Sequence, residues 1–459
     1  MKNIFLLFIL LISFDLYSLP NPNSFKSTYL SIENLLINSR FTKSEEVIVN
    51  RKYNDFILND ENNLINDTFV VSNYFKSSYD FWFSIYTQYT SKEVVFHDKD
   101  NLKLIYKAVD FSQVHNSAIN IYAKDKLHKK LKKEFLRKMK LSLRTLSTKS
   151  FKSLNNDELE LTRSIKKVFK IPLNKKKKKI FFMNLANNLR TQTGQRDMIK
   201  KGVIRSLPYF EFMLTQIKNF SLPKELLSIP FLESSFNVKA YSKVAAVGIW
   251  QFMPFTGSLF MPKRSKYFDY RKNPFISTLA ALHLLKQNKL ILKRWDLAIP
   301  AYNSGTKHFV KARRKYNNVK NLNLEFILKN YKSSHIGFAS KNFYSEFLAL
   351  SRALAYKELI YPIKSINTKI SFKDVSVYIS KCSIPTSKFF TLLKNSSPHI
   401  RTLNLHVLKK SSIFKRGSII ISDISLSKRK YLKLSNKQLK SVFPKKYYTY
   451  IKNKRCGKL

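Results

Sequence analysis

The chain has 459 residues, more than one ordinary domain holds, and 44% of them are hydrophobic, enough to build real cores. Its net charge is +55, from 84 Lys and Arg against 29 Asp and Glu, so polyanions are attracted to it. Two cysteines, Cys382 and Cys456, exclude a disulfide framework and leave open one bond or two thiols.

In chain order, the N-terminus reads as an export leader over residues 1–18. Lys2 supplies charge, Ile4 to Ile12 is an unbroken apolar run, and Ser18 is a small residue at a cleavage position. The run is too short to span a bilayer, which takes about 20 residues. Leu16 is a mediocre partner for cleavage at Ser18, so an uncleaved anchor stays open. An exported chain rarely meets nucleic acid, so none is expected. The charge fits an anionic envelope polymer or membrane surface instead. Abundant Lys, Asn, Ile, Phe and Ser with little Gly or Ala points to a biased genome, and much of the lysine then reads as solvated surface.

Residues 19–185 form a mixed α/β region. The aromatic stretch from Tyr79 to Tyr89 fits helix or strand. Glu93 to Phe96 and Leu102 to Val109 read as a hairpin around the HDKDN turn. Leu127, Leu131 and Phe135 recur every four residues inside the expected helix Lys126 to Lys140, whose other face is basic. Residues 186–360 form the expected catalytic domain. From about residue 181 the pattern is helical, with helices over Phe181 to Leu189, Val203 to Ile217, Lys224 to Ser234, Phe275 to Leu292 and Phe343 to Lys357. Residues 361–459 form a small α/β module. There Thr368 to Phe372 reads as strand, Val375 to Ser380 and Lys388 to Leu393 as helix, and Gly417 to Ile421 as strand. Of eight glycines, six fall between Gly194 and Gly337, which marks the segment whose backbone is most constrained.

Within that segment Glu233 follows the apolar run Leu226, Leu227, Ile229, Pro230, Phe231 and Leu232. A carboxyl there is partly desolvated, which favours its neutral form. A protonated acid at neutral pH is what cleavage of a glycosidic bond needs at the leaving oxygen. Most glycosidases use two carboxylates. The next acids here are Asp269, beside Arg271 in a structural role, and Asp296. Either the chain is no glycosidase or the substrate supplies what a second carboxylate would. Downstream, Gly248 and Trp250 shape a turn, with Trp250 as wall or core, and Gln251 offers an amide suited to sugar hydroxyls and acetamido groups. AYNSG then brings Tyr302 and Asn303, with Tyr302 also readable as a core tyrosine.

The order Glu-Ser, Ser242 with GIWQFM, FDYRKNPFIST and AYNSG resembles the lytic transglycosylases with a lysozyme-like catalytic domain, in the membrane-bound lytic murein transglycosylase D branch. The resemblance covers about residues 185–360. It implies an α+β multidomain fold, with a mainly α-helical lysozyme-like domain flanked by small α/β regions. It implies Glu233, Tyr302 and Asn303 as catalytic residues, and Ser242, Gly248, Gln251, Phe252 and Met253 as the substrate-binding set. The implied substrate is peptidoglycan glycan strands, cleaved without water to 1,6-anhydro ends. Relatives often carry Glu-Thr where this chain has Ala339 and Ser340, a difference that changes groove contacts. The C-terminal module faintly resembles a wall-binding LysM unit without its usual opening. Peripheral membrane or envelope-complex association fits the same reading, with a periplasmic or cell-envelope location.

No HExxH, Cys/His cluster, GxGxxG, Walker A or GxSxG pattern occurs, so no metal and no cofactor is expected. The rival readings are a muramidase that uses water on the same bond, and a non-catalytic peptidoglycan-binding protein.

Overall fold

The computed structural model describes residues 55–333, 337–363, 371–372, 374–409 and 411–451. The expected leader and Cys456 lie outside them, as does most of the strand expected over Thr368 to Phe372. The architecture is α+β, as expected: helices dominate, and small antiparallel sheets stand at either end.

Helix α1 (Asn73–Thr87) settles the ambiguous aromatic stretch. Phe75, Tyr79, Phe81, Trp82, Phe83, Ile85 and Tyr86 are all buried, so apolar side chains surround most of the cylinder and no clear period shows. Its main partner is α11 (Phe338–Ala355). Ser78 Oγ meets Ser345 Oγ at 2.7 Å, and Trp82 Nε1 donates to Asn342 Oδ1 at 3.1 Å. A single core cluster thus runs from Ile57 through the helices of the middle region to Ile451, and does not break at residue 185 or 360.

The hairpin forms as expected from β1 (Glu93–Asp98) and β2 (Ile105–Asp110), in the register Glu93↔Asp110. Its turn is held by Asp98, whose Oδ1 accepts from the backbone N–H of Asp100 and Asn101 at 2.8 Å each. Helices α2 (Ile121–Leu146), α3 (Asn156–Lys166) and α4 (Lys175–Asn188) complete this unit around a second core. Leu127, Leu131, Met139, Leu143 and Leu146 are the buried stripe of α2, and its lysines face away. Strand β3 (Leu189–Thr193) then pairs with β1, Val94↔Thr193. The run read as helical from about residue 181 is therefore interrupted by a strand. Its residues Leu189, Arg190, Thr191, Gln192 and Thr193 carry too little apolar alternation to announce it.

Beyond it come α5 (Arg196–Asn219), α6 (Ile229–Ser234), α7 (Pro254–Phe260), α8 (Pro274–Leu292), α9 (Trp295–Ser304) and α10 (Thr306–Lys315). The helix expected over Lys224 to Ser234 splits into a 3-10 turn, Lys224–Ser228, and α6. Pro230 explains the break, because it removes a backbone donor and is tolerated only in a first turn. Helix α8 is the central pillar, buried on nearly every side. Asn273 caps it by accepting from the N–H groups of Phe275 and Ile276, with Pro274 in the first turn.

The C-terminal module contains β4 (Ser376–Ser380), α12 (Thr386–Leu393), β5 (Ile419–Ser422) and β6 (Tyr431–Lys433), in the sheet order β5-β4-β6. The helix expected over Val375 to Ser380 is instead the central strand. Val375, Val377 and Ile379 alternate with Ser376, Tyr378 and Ser380, and β-branched residues at every second position favour a pleated surface. The strand expected at Gly417 to Ile421 and the helix at Lys388 to Leu393 are present as β5 and α12. Cys382 is disulfide-bonded and buried in this module.

The FDYRKNP link docks the module onto α8. Asp269 N–H donates to the His406 carbonyl at 2.9 Å, Asn273 Nδ2 donates to the Leu403 carbonyl at 2.7 Å, and Leu408 N–H donates to the Tyr267 carbonyl at 2.8 Å. No described helix is long and apolar enough to cross a membrane.

Candidate active site

Glu233 stands one residue before the end of α6, and the chain turns sharply after it. Ser235 and Phe236 both take left-handed backbone, at φ 47° and 55°. Neither is glycine, so the turn is held from outside. Phe236 is fully buried against Phe231 and Tyr209, and Arg205 on α5 donates to the Ser235 carbonyl. Gly202 lets α5 come this close. A Cβ there would lie 2.7 Å from the Ser235 carbonyl oxygen. Ser234 Oγ bonds the carbonyls of Pro230 and Ile249 at 3.0 Å each, which ties the Glu233 turn to the GIWQF turn.

The GIWQF turn is the opposite wall. Gly248 has φ 76°, and a Cβ there would lie 2.4 Å from the Arg271 carbonyl oxygen. Gln251, also at positive φ, folds its Nε2 back onto the Gly248 carbonyl at 2.8 Å. Ser242 Oγ accepts from Ala246 N–H at 2.9 Å. Trp250 is core and not an aromatic wall: it is fully buried, and Nε1 donates to Thr278 Oγ1 at 2.9 Å. Beneath the turn Arg271 pairs with Asp269 through Nε at 2.9 Å and Nη2 at 2.8 Å, and its Nη1 donates to the carbonyls of Ala245 and Phe252. Asp269 is thus structural, and so is Asp296, which pairs with Arg294 and accepts from Leu324 N–H.

These walls enclose a groove of about 1020 Å³. It brings together Glu233, Ser242, Gln251, Phe252, Met253, Tyr302 and Asn303. Gly248 is not in the lining and acts through its backbone. Phe252 is buried, while Met253 is exposed at the rim. Glu233 is the one carboxyl among the described lining residues. Burial alone pushes that carboxyl up to about 8. Tyr302, on α9, donates to the Trp250 carbonyl at 2.7 Å and packs beside Trp250 and Phe252. Burial first, and then the charge of Glu233, hold its phenol well above the ordinary range. Asn303 is exposed in the lining.

Sequence reading missed several lining residues. Gln287 and Asn288 come from α8, where two adjacent polar residues inside an apolar helix were a usable signal. Phe255, Leu259 and Ile291 give the rim exposed apolar surface. Phe443 arrives from the C-terminal module, and no local pattern could have placed it.

Residues 213–324 match the family described as the transglycosylase SLT domain. This segment is similar to transglycosylase SLT domains. Over 110 residues the chain is 37% identical to membrane-bound lytic murein transglycosylase D of Escherichia coli strain K12, a stretch that is 24% of either chain. The E. coli O6:H1 protein of the same name matches equally. A protein of Alteromonas sp. strain M-1, named for tributyltin chloride resistance, is 35% identical over 118 residues, 26% of this chain and 56% of its own. The chain thus matches about a quarter of the length of the E. coli relatives, and the family match over residues 213–324 contains Glu233, the GIWQF turn and Tyr302.

The Tyr302 hydroxyl gives a first expectation. Tyr302→Phe leaves the buried Trp250 carbonyl without its donor, a loss of about 1–3 kcal/mol. Turnover at the groove should fall about tenfold, with a small drop in Tm. Unchanged turnover would show that this hydrogen bond does not support the site.

Proposed function

We propose that this chain is a peptidoglycan lytic transglycosylase that cleaves the β-1,4 bond between N-acetylmuramic acid and N-acetylglucosamine. The observation that carries the reading is a single, desolvated carboxyl in an open groove with no second one among its described lining residues. A hydrolase of the ordinary kind places two carboxylates across the bond. With one, the missing function falls to the substrate.

Glu233, protonated at neutral pH, gives its proton to the glycosidic oxygen. The C1–O bond breaks with its electrons on the departing N-acetylglucosamine. The acetamido oxygen of the muramoyl residue stabilises the cation at C1. Glu233, now a carboxylate, takes the proton of the C6 hydroxyl of that sugar, and O6 bonds to C1. The proton ends on Glu233, no water enters, and the 1,6-anhydro ring closes. One residue is acid and then base, and a value near 8 serves both steps close to neutral pH.

Tyr302 orients the Glu233 side of the groove through its bond to the Trp250 carbonyl, and Asn303, exposed in the lining, meets the sugar. Ser242, Gln251, Phe252 and Met253 form the saccharide wall, with Gly248 shaping its turn. Residues 361–459 form a module that lengthens the groove through Phe443 and adds wall contacts. A net charge of +55 favours a polyanionic sacculus or membrane surface. The expected leader would take the chain to the periplasm or cell envelope, where a peripheral membrane or envelope-complex association fits.

Sacculus binding tests the substrate reading. Pelleting of the protein with purified sacculi should weaken as salt rises but persist through groove contacts. No pelleting at low salt would contradict it.

A further inference from the structure

Eight lysines fall within fifteen residues of the N-terminal unit: Lys166, Lys167, Lys170 and the run Lys175 to Lys179. No acid occurs in residues 161–196. The eight occupy the last residue of α3, the link after it and the first turns of α4, and all but Lys178 are exposed. One ring gathers both helices. Phe151 has the Lys178 ammonium over its face at 4.0 Å and that of Lys166 at 5.8 Å, while Lys178 Nζ also donates to the Lys149 carbonyl at 2.7 Å. The glutamates of α3 serve other cations: Glu158 pairs with Lys149 and Glu160 with Lys107. Among the described residues none of the eight lysines forms an ion pair.

The fold gains nothing from this run. Lysines in a first helical turn stand at the positive end of the helix dipole, and like charges a turn apart repel. Helix α4 is held by other means, by the Asn174 cap on Lys177 N–H at 3.1 Å and by the buried Phe182, Leu185 and Ala186. Apolar side chains stand among the lysines as well. Phe169 and Ile171 pack on the second core, but Leu173, two residues on, is 97% exposed. Ile180, one turn from Lys176 and Lys177, is 56% exposed.

Lysines alone fit any polyanion. A protruding leucine and isoleucine do not, because a hydrated polymer offers them no apolar medium. The boundary of a lipid bilayer takes both, with ammonium groups at the phosphates and apolar tips just beneath. We propose that this end of the N-terminal unit docks on an anionic phospholipid bilayer, its lysines at the headgroups and Leu173 and Ile180 entering the interface. The proposal rests on the envelope location in the reading above and makes no use of the groove, which none of these residues lines. It assigns to the membrane a contact that net charge alone leaves open between membrane and sacculus.

Flotation of the full chain with vesicles of phosphatidylglycerol and phosphatidylethanolamine, at about 0.1 M salt, tests it. Phosphatidylcholine vesicles give the background set by the apolar run Ile4 to Ile12. Lys175→Gln, Lys176→Gln, Lys177→Gln and Lys179→Gln together should weaken binding to the anionic vesicles by about two orders of magnitude, since each lysine near such a surface is worth about fivefold. Lys178 is left in place because it holds the Lys149 carbonyl. Leu173→Ser with Ile180→Ser keeps every charge. It should weaken vesicle binding about tenfold and leave pelleting with purified sacculi unchanged. Should that pair disturb α4, Leu173→Ser alone carries the same readout, since Leu173 touches no core. Vesicle binding unchanged in the lysine variant overturns the proposal. So does a serine variant that binds vesicles as wild type does, which marks a patch for any polyanion. Without vesicles, both variants should cleave sacculi at the wild-type rate. A wild type that cleaves nothing sinks the transglycosylase reading, and the vesicle comparison still decides this one.

Discussion

Glu233→Gln should abolish formation of 1,6-anhydro products while sacculus binding persists. Gln keeps the shape and the polar contacts of Glu but can neither give nor take the proton. General acid–base catalysis by one group is worth about 10²–10⁴-fold, and here the same group serves both steps, so a loss of at least about 10³-fold is expected. Mass spectrometry of digested sacculi reads it directly. The substitution should also stabilise the protein at neutral pH. The folded carboxyl titrates at about 8 and the unfolded one at 4.5, so the folded state holds the proton more tightly. Stability from this group is full below the unfolded value and is lost as pH rises through the folded one. Between the two values the wild type therefore loses stability with rising pH, and the Gln variant is spared that loss. At pH about 7 its advantage should be of the order of 2–3 kcal/mol, read as a Tm higher by a few degrees, and it should vanish at pH about 4. Equal Tm differences at both values would contradict the desolvated state of Glu233.

Arg271→Ala should cost the fold the most. The guanidinium is buried, holds both Asp269 oxygens, and closes the carbonyls of Ala245 and Phe252. Removal leaves the buried Asp269 carboxylate with only the distant Arg264 as a cation and takes a donor from the carbonyls of Ala245 and Phe252, a cost of about 3–5 kcal/mol. Since Arg271 lies under the GIWQF turn, the wall carrying Gln251 and Met253 should loosen and cleavage should be lost with it. Thermal denaturation checks the stability. The double change Asp269→Leu with Arg271→Met removes the stranded charge and should cost less than Arg271→Ala alone. A double variant worse than the single one would mean that the ion pair itself, and not the stranded carboxylate, dominates.

The chemistry was more legible in the sequence than the frame that carries it. Glu233 announces itself by the apolar run before it, and the absence of a second acid nearby in sequence matches a groove lined by one carboxyl. Asp269 was readable as structural because Arg271 lies two residues away, and the ion pair is local. Long-range features were not readable. Trp250 could be wall or core until Thr278, far along the chain, was seen to accept its indole N–H. Phe443 reaches the site from another element, and nothing in its own segment points there. Val375 to Ser380 differs in kind: its residues alternate, a short apolar run fits either period, and the structure adopts the pleated one. The aromatic residues of α1 hide their period for the opposite reason, since almost every face of that helix is covered.

The most direct measurement is the muropeptide profile of purified sacculi digested with the wild-type protein. The account predicts products that are lighter by one water than hydrolysis products and end in 1,6-anhydro-N-acetylmuramic acid. Products with free reducing ends would contradict it and make the protein a hydrolase that finds a water opposite Glu233.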